Sequence, residues 1–288
     1  MAQMMRVERA SWSAPNNVHA LTTTIDGGVS QGVYKGLNLG GHVGDEVAKV
    51  IENRKLLHDS LALPSQPYWL NQVHGVEVVL VDECSLIGQG ESLPAEGSPL
   101  AEGSPRAEGS LSLPEGSLPL AEGSNSYRVP DADGVYTFSK EVVCAILTAD
   151  CMPLFITSRS GDQVALLHAG WRGLAGGIIE RGVAALKCSP EDMVVWAGPC
   201  IGPTAFEVGD EVRQCIGGAD KAYVPSKKSQ VGEEKWLANL YLLAGERFAK
   251  LGVEHYFFSQ CCTFSDPQFY SYRRDGQCGR MASLIWFE

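Results

Sequence analysis

The stretch V164-ALLHAGWRGLAGGI-I179 decides the fold. Four apolar residues, Val164–Leu167, lead into His168, and Ala169–Gly170 turns the chain into Trp171 and Arg172. Gly176 and Gly177 then open an apolar, helix-like segment. This is the pattern of a buried strand, a tight loop and a helix, with an imidazole where the strand stops. Open α/β sheets build ligand sites at such strand ends. A strand–loop–helix unit implies an α/β protein, and the rest of the chain repeats the alternation.

Working outward, Ala20–Ile25 reads as a short strand, and Asp45–Leu61 as a helix with Val47, Val50, Ile51, Leu56 and Leu57 on one stripe. PYWLNQVHGVEVVLVD (67–82) reads as strand, turn at His74–Gly75, and strand. EVVCAILTADCMPLFITS (141–158) reads as a strand pair broken at Thr148–Cys151, the first strand being almost continuously apolar. The spacing predicts helices over Gly176–Lys187, Asp210–Cys215 and Leu237–Leu251, and strands over Glu191–Ala197 and His255–Phe258, the latter as an inner strand. Cys151 and His168 are expected on a hairpin or on neighbouring strands. Asp131 and Asp133 in PDADG read as turn residues.

Residues 85–126 differ in kind. AEGS recurs at Ala95, Ala101, Ala107 and Ala121, with EGS at Glu115. Gly, Ser, Pro and Glu dominate, and such a composition is too poor in apolar residues to form a core. The expectation is a low-complexity, disordered surface insertion inside one catalytic domain spanning 1–288, because lengthening a surface loop costs little entropy.

At 288 residues and 44% hydrophobic content the chain can bury a large core. A net charge of −11 argues against nucleic-acid backbone binding as its main role. No apolar run reaches the length of a membrane span, and MAQMMRVERASWSAPNNV lacks a signal-peptide core. A soluble cytoplasmic protein with no membrane and no nucleic-acid partner is the expectation, and no obligate protein partner is visible. The nine cysteines are odd in number and include no CxxC pair, so they outline neither a disulfide framework nor a zinc ribbon.

Three residues stand where apolar runs meet turns: His74, Cys151 and His168. Two imidazoles and one thiolate are a normal ligand set for catalytic zinc, with a fourth position left for water or substrate. The same Cys151 and His168 also suit a metal-free cysteine hydrolase, with Asp150 or another carboxylate orienting the imidazole. Arg54, Arg172, Arg273 and Arg274 supply cations in an acidic chain. With the N–H groups of Gly173, Gly176 and Gly177 they suit a phosphate. Asn38, in KGLNLGG, joins Arg54, Arg172 and Arg273 as candidate substrate- and phosphate-binding residues. Trp171, Phe206 and Tyr270 are candidates for stacking on a planar base.

NQVHG (71–75), TADCMPL (148–154), HAGWRGLAGG (168–177), GPCIGP followed by AFEVG (198–209), and SYRRDG with GRMAS (271–283) together resemble the YfiH-like, laccase-domain-containing family, formerly called multicopper polyphenol oxidases. The resemblance runs from TTTIDGGVSQGVYKGLNLGGHVGD (22–45) to the end, and the AEGS segment is its one departure. It implies a single-domain, four-layer α/β/β/α sandwich with mixed sheets, related to the catalytic domain of cytotoxic necrotizing factor toxins. It also implies zinc on His74, Cys151 and His168, which are then the catalytic residues. Copper in place of zinc would make the protein a single-metal polyphenol oxidase. The implied activities are phosphorolysis of adenosine, inosine, guanosine and methylthioadenosine, and deamination of adenosine, so the partners are purine nucleosides and inorganic phosphate. A true laccase needs a second cluster of imidazoles. The chain has six histidines, scattered and without a His-x-His pair.

Overall fold

Every residue of β7 (Val164–Ala169) is buried, as the apolar run requires. The computed structural model describes residues 5–82, 85, 129–140, 142–229 and 233–288. Apart from Ser85, the repeat segment 85–126 lies outside the described residues. β7 pairs antiparallel with β6 (Met152–Ser158), with Pro153 opposite His168, so Cys151 and His168 do lie at one end of a hairpin. Outside this pair lie β3 (Val78–Leu80), β4 (Gly134–Thr137), β8 (Met193–Ala197) and β12 (His255–Phe258). The resulting six-stranded sheet has the order β12-β8-β6-β7-β4-β3. Its two outer pairs, β12·β8 and β3·β4, are parallel and the inner pairs are antiparallel.

The second sheet is antiparallel: β1 (Val7–Arg9), β2 (Val18–Thr23), β13 (Met281–Phe287) and β5 (Cys144–Thr148), in that order. The strand period of two sorts its residues into layers. Cys144 and Ile146 of β5 turn inward to meet Phe155, Leu166, Trp196 and Ile285 between the sheets. Ala145 and Leu147 turn outward, where Leu21, Leu284 and Trp286 pack on Leu57 of α1 (Val47–Leu61). The six-stranded sheet does the same in mirror order. Leu154, Ile156, Ala165 and Leu167 face α3 (Ile178–Ala185) and α5 (Leu240–Lys250). Helix, sheet, sheet, helix is the expected four-layer sandwich. Phe155 and Trp196 meet at its centre with ring centroids 4.8 Å apart, and each contributes roughly 1.5–3 kcal/mol through burial. A small antiparallel sheet of β9 (Glu207–Gly209), β11 (Lys235–Ala238) and β10 (Tyr223–Pro225) sits apart from both.

Five local expectations need correction. The segment after His168 is two helices, α2 (Trp171–Gly176) and α3, because Gly177 takes φ +95° between them. β5 and β6 do not pair; the chain crosses from one sheet to the other at Ala149–Cys151, with Asp150 at φ +93°. Leu237 belongs to β11, and the following helix starts after Asn239, whose side chain accepts from Leu242 N–H. β12 is an edge strand, and the first leg of 67–82 contributes only isolated bridges at Tyr68 and Asn71. Apolar periodicity reports burial; it does not name the strand on the other side of a hydrogen bond. Among the described residues no helix is long and apolar enough to cross a membrane.

Candidate active site

The β6–β7 register builds the site. Met152 lies opposite Ala169, so Cys151, one residue earlier, comes beside Gly170, one residue later. A Cβ on Gly170 would lie 3.0 Å from Cys151 Sγ and 3.3 Å from His74 Cδ2, so any larger residue would push the two donors by a few tenths of an ångström. His168, 3% exposed, sits near the end of β7. His74 arrives on the loop before β3, in a left-handed conformation with φ +59°. The donor atoms of His74, Cys151 and His168 all lie within 4.8 Å of one another. Cys151 Sγ is 4.0 Å from His74 Nε2, and the two imidazole rings meet edge to face, 4.8 Å between centroids. The three long-range candidates therefore form one cluster.

The carboxylate beside them is Asp133. β4 pairs with β7 so that Gly134 faces Leu167, which places Asp133 next to His168. Asp133 is fully buried and its Oδ1 accepts from His168 Nδ1 at 2.7 Å. It also accepts the backbone N–H groups of Val73, His74 and Gly75 at 3.1, 3.0 and 2.6 Å. Burial raises its pKa, but the hydrogen bond and charge of His168 outweigh this and hold it below the usual carboxylate range. Asp–Gly before a strand reads as a turn from sequence, and only the β4–β7 pairing reveals the imidazole across from it. Asp131, expected in a turn, instead forms an isolated β-bridge with Asn71, whose Nδ2 donates to its Oδ1 at 2.7 Å. Burial pushes the Cys151 thiol up and the His168 imidazole down, yet each shifts the other way, because thiolate and imidazolium stabilise one another.

Asp150, the other candidate orienting carboxylate, is engaged elsewhere. It accepts from Thr263 Oγ1 at 2.6 Å, Ser271 Oγ at 3.0 Å and Arg273 N–H at 2.7 Å. It ties Cys151's own turn to the loop carrying Arg273.

A cavity of about 410 Å3 opens at the cluster, and His74, Cys151, Trp171, Arg172, Phe206 and Arg273 are among its walls. Arg172 lies over the Trp171 ring at 4.5 Å, and Arg273 donates to Glu207 O at 2.9 Å with its guanidinium 5.6 Å from the Phe206 ring. Four sequence candidates are placed elsewhere. Arg54 is not on the cavity wall; it donates twice to Leu39 O and lies 4.2 Å over the Trp69 ring. Burial lowers its pKa to about 10. Asn38 is buried, its amide divided among Gly40, Asp45 and Arg280 N–H. Tyr270 is a core residue whose hydroxyl donates to Tyr34 O, and Arg274 clamps the carbonyls of Thr263 and Phe269. Gly173 and Gly176 line no cavity either: a Cβ on them would meet Gly75 O at 3.0 Å and Val76 Cγ1 at 2.8 Å. Their smallness seats α2 against the His74 loop, and Gly177 N–H is spent on Leu174 O. Sequence reasoning missed Asp133 and Tyr272, which joins the cavity wall two residues beyond Tyr270.

Known proteins place this geometry in a family. Residues 19–288 match the family described as multi-copper polyphenol oxidoreductase laccase. A Haemophilus influenzae protein named purine nucleoside phosphorylase is 38% identical over 286 residues, covering 99% of this chain and 100% of that one. Purine nucleoside phosphorylase YfiH of Escherichia coli K12 is 41% identical over 276 residues, with 96% of each chain covered. The crystal structure of Neisseria meningitidis protein NMB0706 superposes with a TM-score of 0.77 at 36% identity, over 98% of this chain and 99% of that one. The chain belongs to this YfiH-like, laccase-domain family.

Proposed function

We propose that the chain is a zinc-dependent purine nucleoside phosphorylase, acting on adenosine, inosine, guanosine and methylthioadenosine, and that the same site deaminates adenosine to inosine. One observation carries this reading: His74, Cys151 and His168 form one donor cluster, and His74 and Cys151 line a cavity whose walls also include Arg172, Arg273 and the rings of Trp171, Phe206 and Tyr272. The donor set fits zinc. Bond lengths of about 2.3 Å to sulfur and about 2.1 Å to nitrogen at a tetrahedral angle put such donors about 3.6 Å apart. The 4.0 Å between Cys151 Sγ and His74 Nε2 is close to that. When bound, zinc supplies a Lewis acid and a water acidified to a pKa of about 7.

The residues divide the remaining work. Asp133 keeps the His168 ring oriented with Nδ1 toward itself and Nε2 toward Cys151. Trp171 and Phe206 offer flat apolar faces to a purine. Arg172 and Arg273 offer cations to phosphate, which bonds C1′ as the C1′–N9 bond breaks and its proton passes to the departing base. Deamination adds water at C6 and releases ammonia. Phosphate held away from the base would let water react there instead, so one pocket accommodates both reactions. Copper on the same donors would give the oxidase reading, but a laccase needs a second copper cluster. Among the described residues this trio is the only group of three or more His, Cys, Asp or Glu placed to hold a metal.

The Asp133–His168–Cys151 line favours a second reading, a cysteine hydrolase, since nucleophile, base and orienting carboxylate occur in sequence. His74, edge to face with His168 and 4.0 Å from the sulfur, is a group such an enzyme does not require, and so the metal reading is preferred. Incubation of zinc-loaded protein with adenosine and inorganic phosphate tests it. Adenine with ribose 1-phosphate reports phosphorolysis and inosine reports deamination. Neither product, from protein that holds stoichiometric zinc, overturns the proposal.

A further inference from the structure

We infer that Asp133 is the positioning residue of the metal centre, a single buried carboxylate that presets two of its three ligands at once; this rests on the metal reading above. Its two oxygens accept four N–H groups: His168 Nδ1 and three consecutive backbone amides, Val73, His74 and Gly75. The side-chain bond aims one ligand. The backbone bonds hold the loop of the other, at the residue whose left-handed φ of +59° needs outside support. Such a conformation costs about 1–3 kcal/mol in a non-glycine residue and persists only where neighbours over-determine it. His168 and His74 lie 94 residues apart in sequence (168 − 74) and on different elements, and Asp133 bonds the side chain of the first and the backbone of the second.

A carboxylate also decides which ring nitrogen of His168 is presented. By accepting from Nδ1–H it leaves the Nε2 lone pair for a metal. An asparagine there would keep its oxygen for Val73 and Gly75 N–H but would turn its NH2 toward both His74 N–H and His168 Nδ1, which share the other carboxylate oxygen. The ring would then carry its proton on Nε2 and lose its ligand capacity. A purely structural Asp133 predicts something else: Asn would lower stability and leave metal affinity alone.

The test is zinc affinity by competition with a chromophoric chelator, and the visible d–d band of the cobalt-loaded protein, for wild type, Asp133→Asn and Asp133→Glu. The expected result is a 10–100-fold loss of zinc affinity in Asp133→Asn and a shifted or weakened cobalt band, in addition to the fall in thermal midpoint that the altered loop bonds bring to the chelator-treated protein. Zinc affinity within twofold of wild type and an unchanged cobalt band would overturn the inference. If Asp133→Asn does not fold, Asp133→Glu decides. It keeps the charge but moves it by one methylene, so the cobalt band must shift, and an unshifted band with wild-type affinity overturns the inference equally. These readouts need no turnover. Zinc loss in the variant together with a wild type that leaves nucleosides untouched would sink the proposed function and leave this inference standing. A wild type that binds neither metal would sink both.

Discussion

Gly170 backs onto Cys151 so closely that a Cβ in its place would sit 3.0 Å from the thiol sulfur and 3.3 Å from the His74 ring. Both neighbours belong to the donor cluster, so any room that a Cβ takes there comes out of the donor spacing. Gly170→Ala is therefore expected to spread the donors rather than unfold the chain. Zinc retained after dialysis should fall at least about tenfold on the scale of ligand-shell disturbances, while the thermal midpoint drops by only a few degrees. Full zinc retention would show that the loop yields instead.

In chelator-treated protein, Cys151 should behave as a nucleophile. Burial raises its pKa, but the charge of His168 and the hydrogen bonds from both imidazoles bring it down to about 7. Its thiolate is then half formed near neutral pH, where an ordinary cysteine of pKa about 8.5 is mostly protonated. Removing the imidazolium removes the lowering influence, so His168→Ala should move the midpoint upward. The rate of iodoacetamide labelling at Cys151 between pH 5 and 10, followed by mass spectrometry, reads both values.

The two arginines of the cavity and the one outside it should separate cleanly. Arg273→Ala and Arg172→Ala are expected to raise the KM for phosphate about tenfold, the worth of one charge-assisted contact, with less effect on the KM for the nucleoside. Arg54→Ala should leave both constants near wild type and lower stability by about 1–3 kcal/mol, because its stem and guanidinium pack on Trp69 and cap Leu39 O. Steady-state kinetics set beside urea midpoints distinguish the two classes. A phosphate KM changed only by Arg54→Ala would reverse the assignment.

Asp150→Ala should be among the more damaging single changes. It strips one buried carboxylate from Thr263, Ser271 and Arg273 N–H and leaves alanine at φ +93°. A loss of about 2–4 kcal/mol is expected from the unmade charged hydrogen bonds and the backbone strain. Asp150→Asn retains an acceptor and tolerates the left-handed backbone better, so its urea midpoint should fall between alanine and wild type.

The sequence was most legible where one element carries the whole signal. Val164–Leu167 reads as a buried strand because four consecutive apolar residues between turn signals are too short for a helix and suit a covered sheet. Of the helical stripe, Val50 and Leu57 are buried as a covered face requires, whereas Val47 in the first turn is exposed. Legibility failed at pairings. Nothing in EVVCAILTADCMPLFITS says that its two strands enter different sheets, since both are apolar throughout and period alone names no partner.

For the site, the chemistry of His74, Cys151 and His168 was written in residue types and in their places at the ends of apolar runs, because soft donors at strand ends are what a metal needs. The sequence by itself thus determined the α/β class and the family, and it singled out His74, Cys151 and His168 as candidates, which the structure brings within 4.8 Å of one another. Tertiary structure alone decided that Asp133 orients the centre, that Asp150 does not, and that Arg54 and Asn38 stand outside the cavity while Arg172 and Arg273 line it. The physical reason is common to all of these. A carboxylate or a guanidinium takes its role from the partner within hydrogen-bonding distance, and that partner lies tens of residues away, brought near only by strand register.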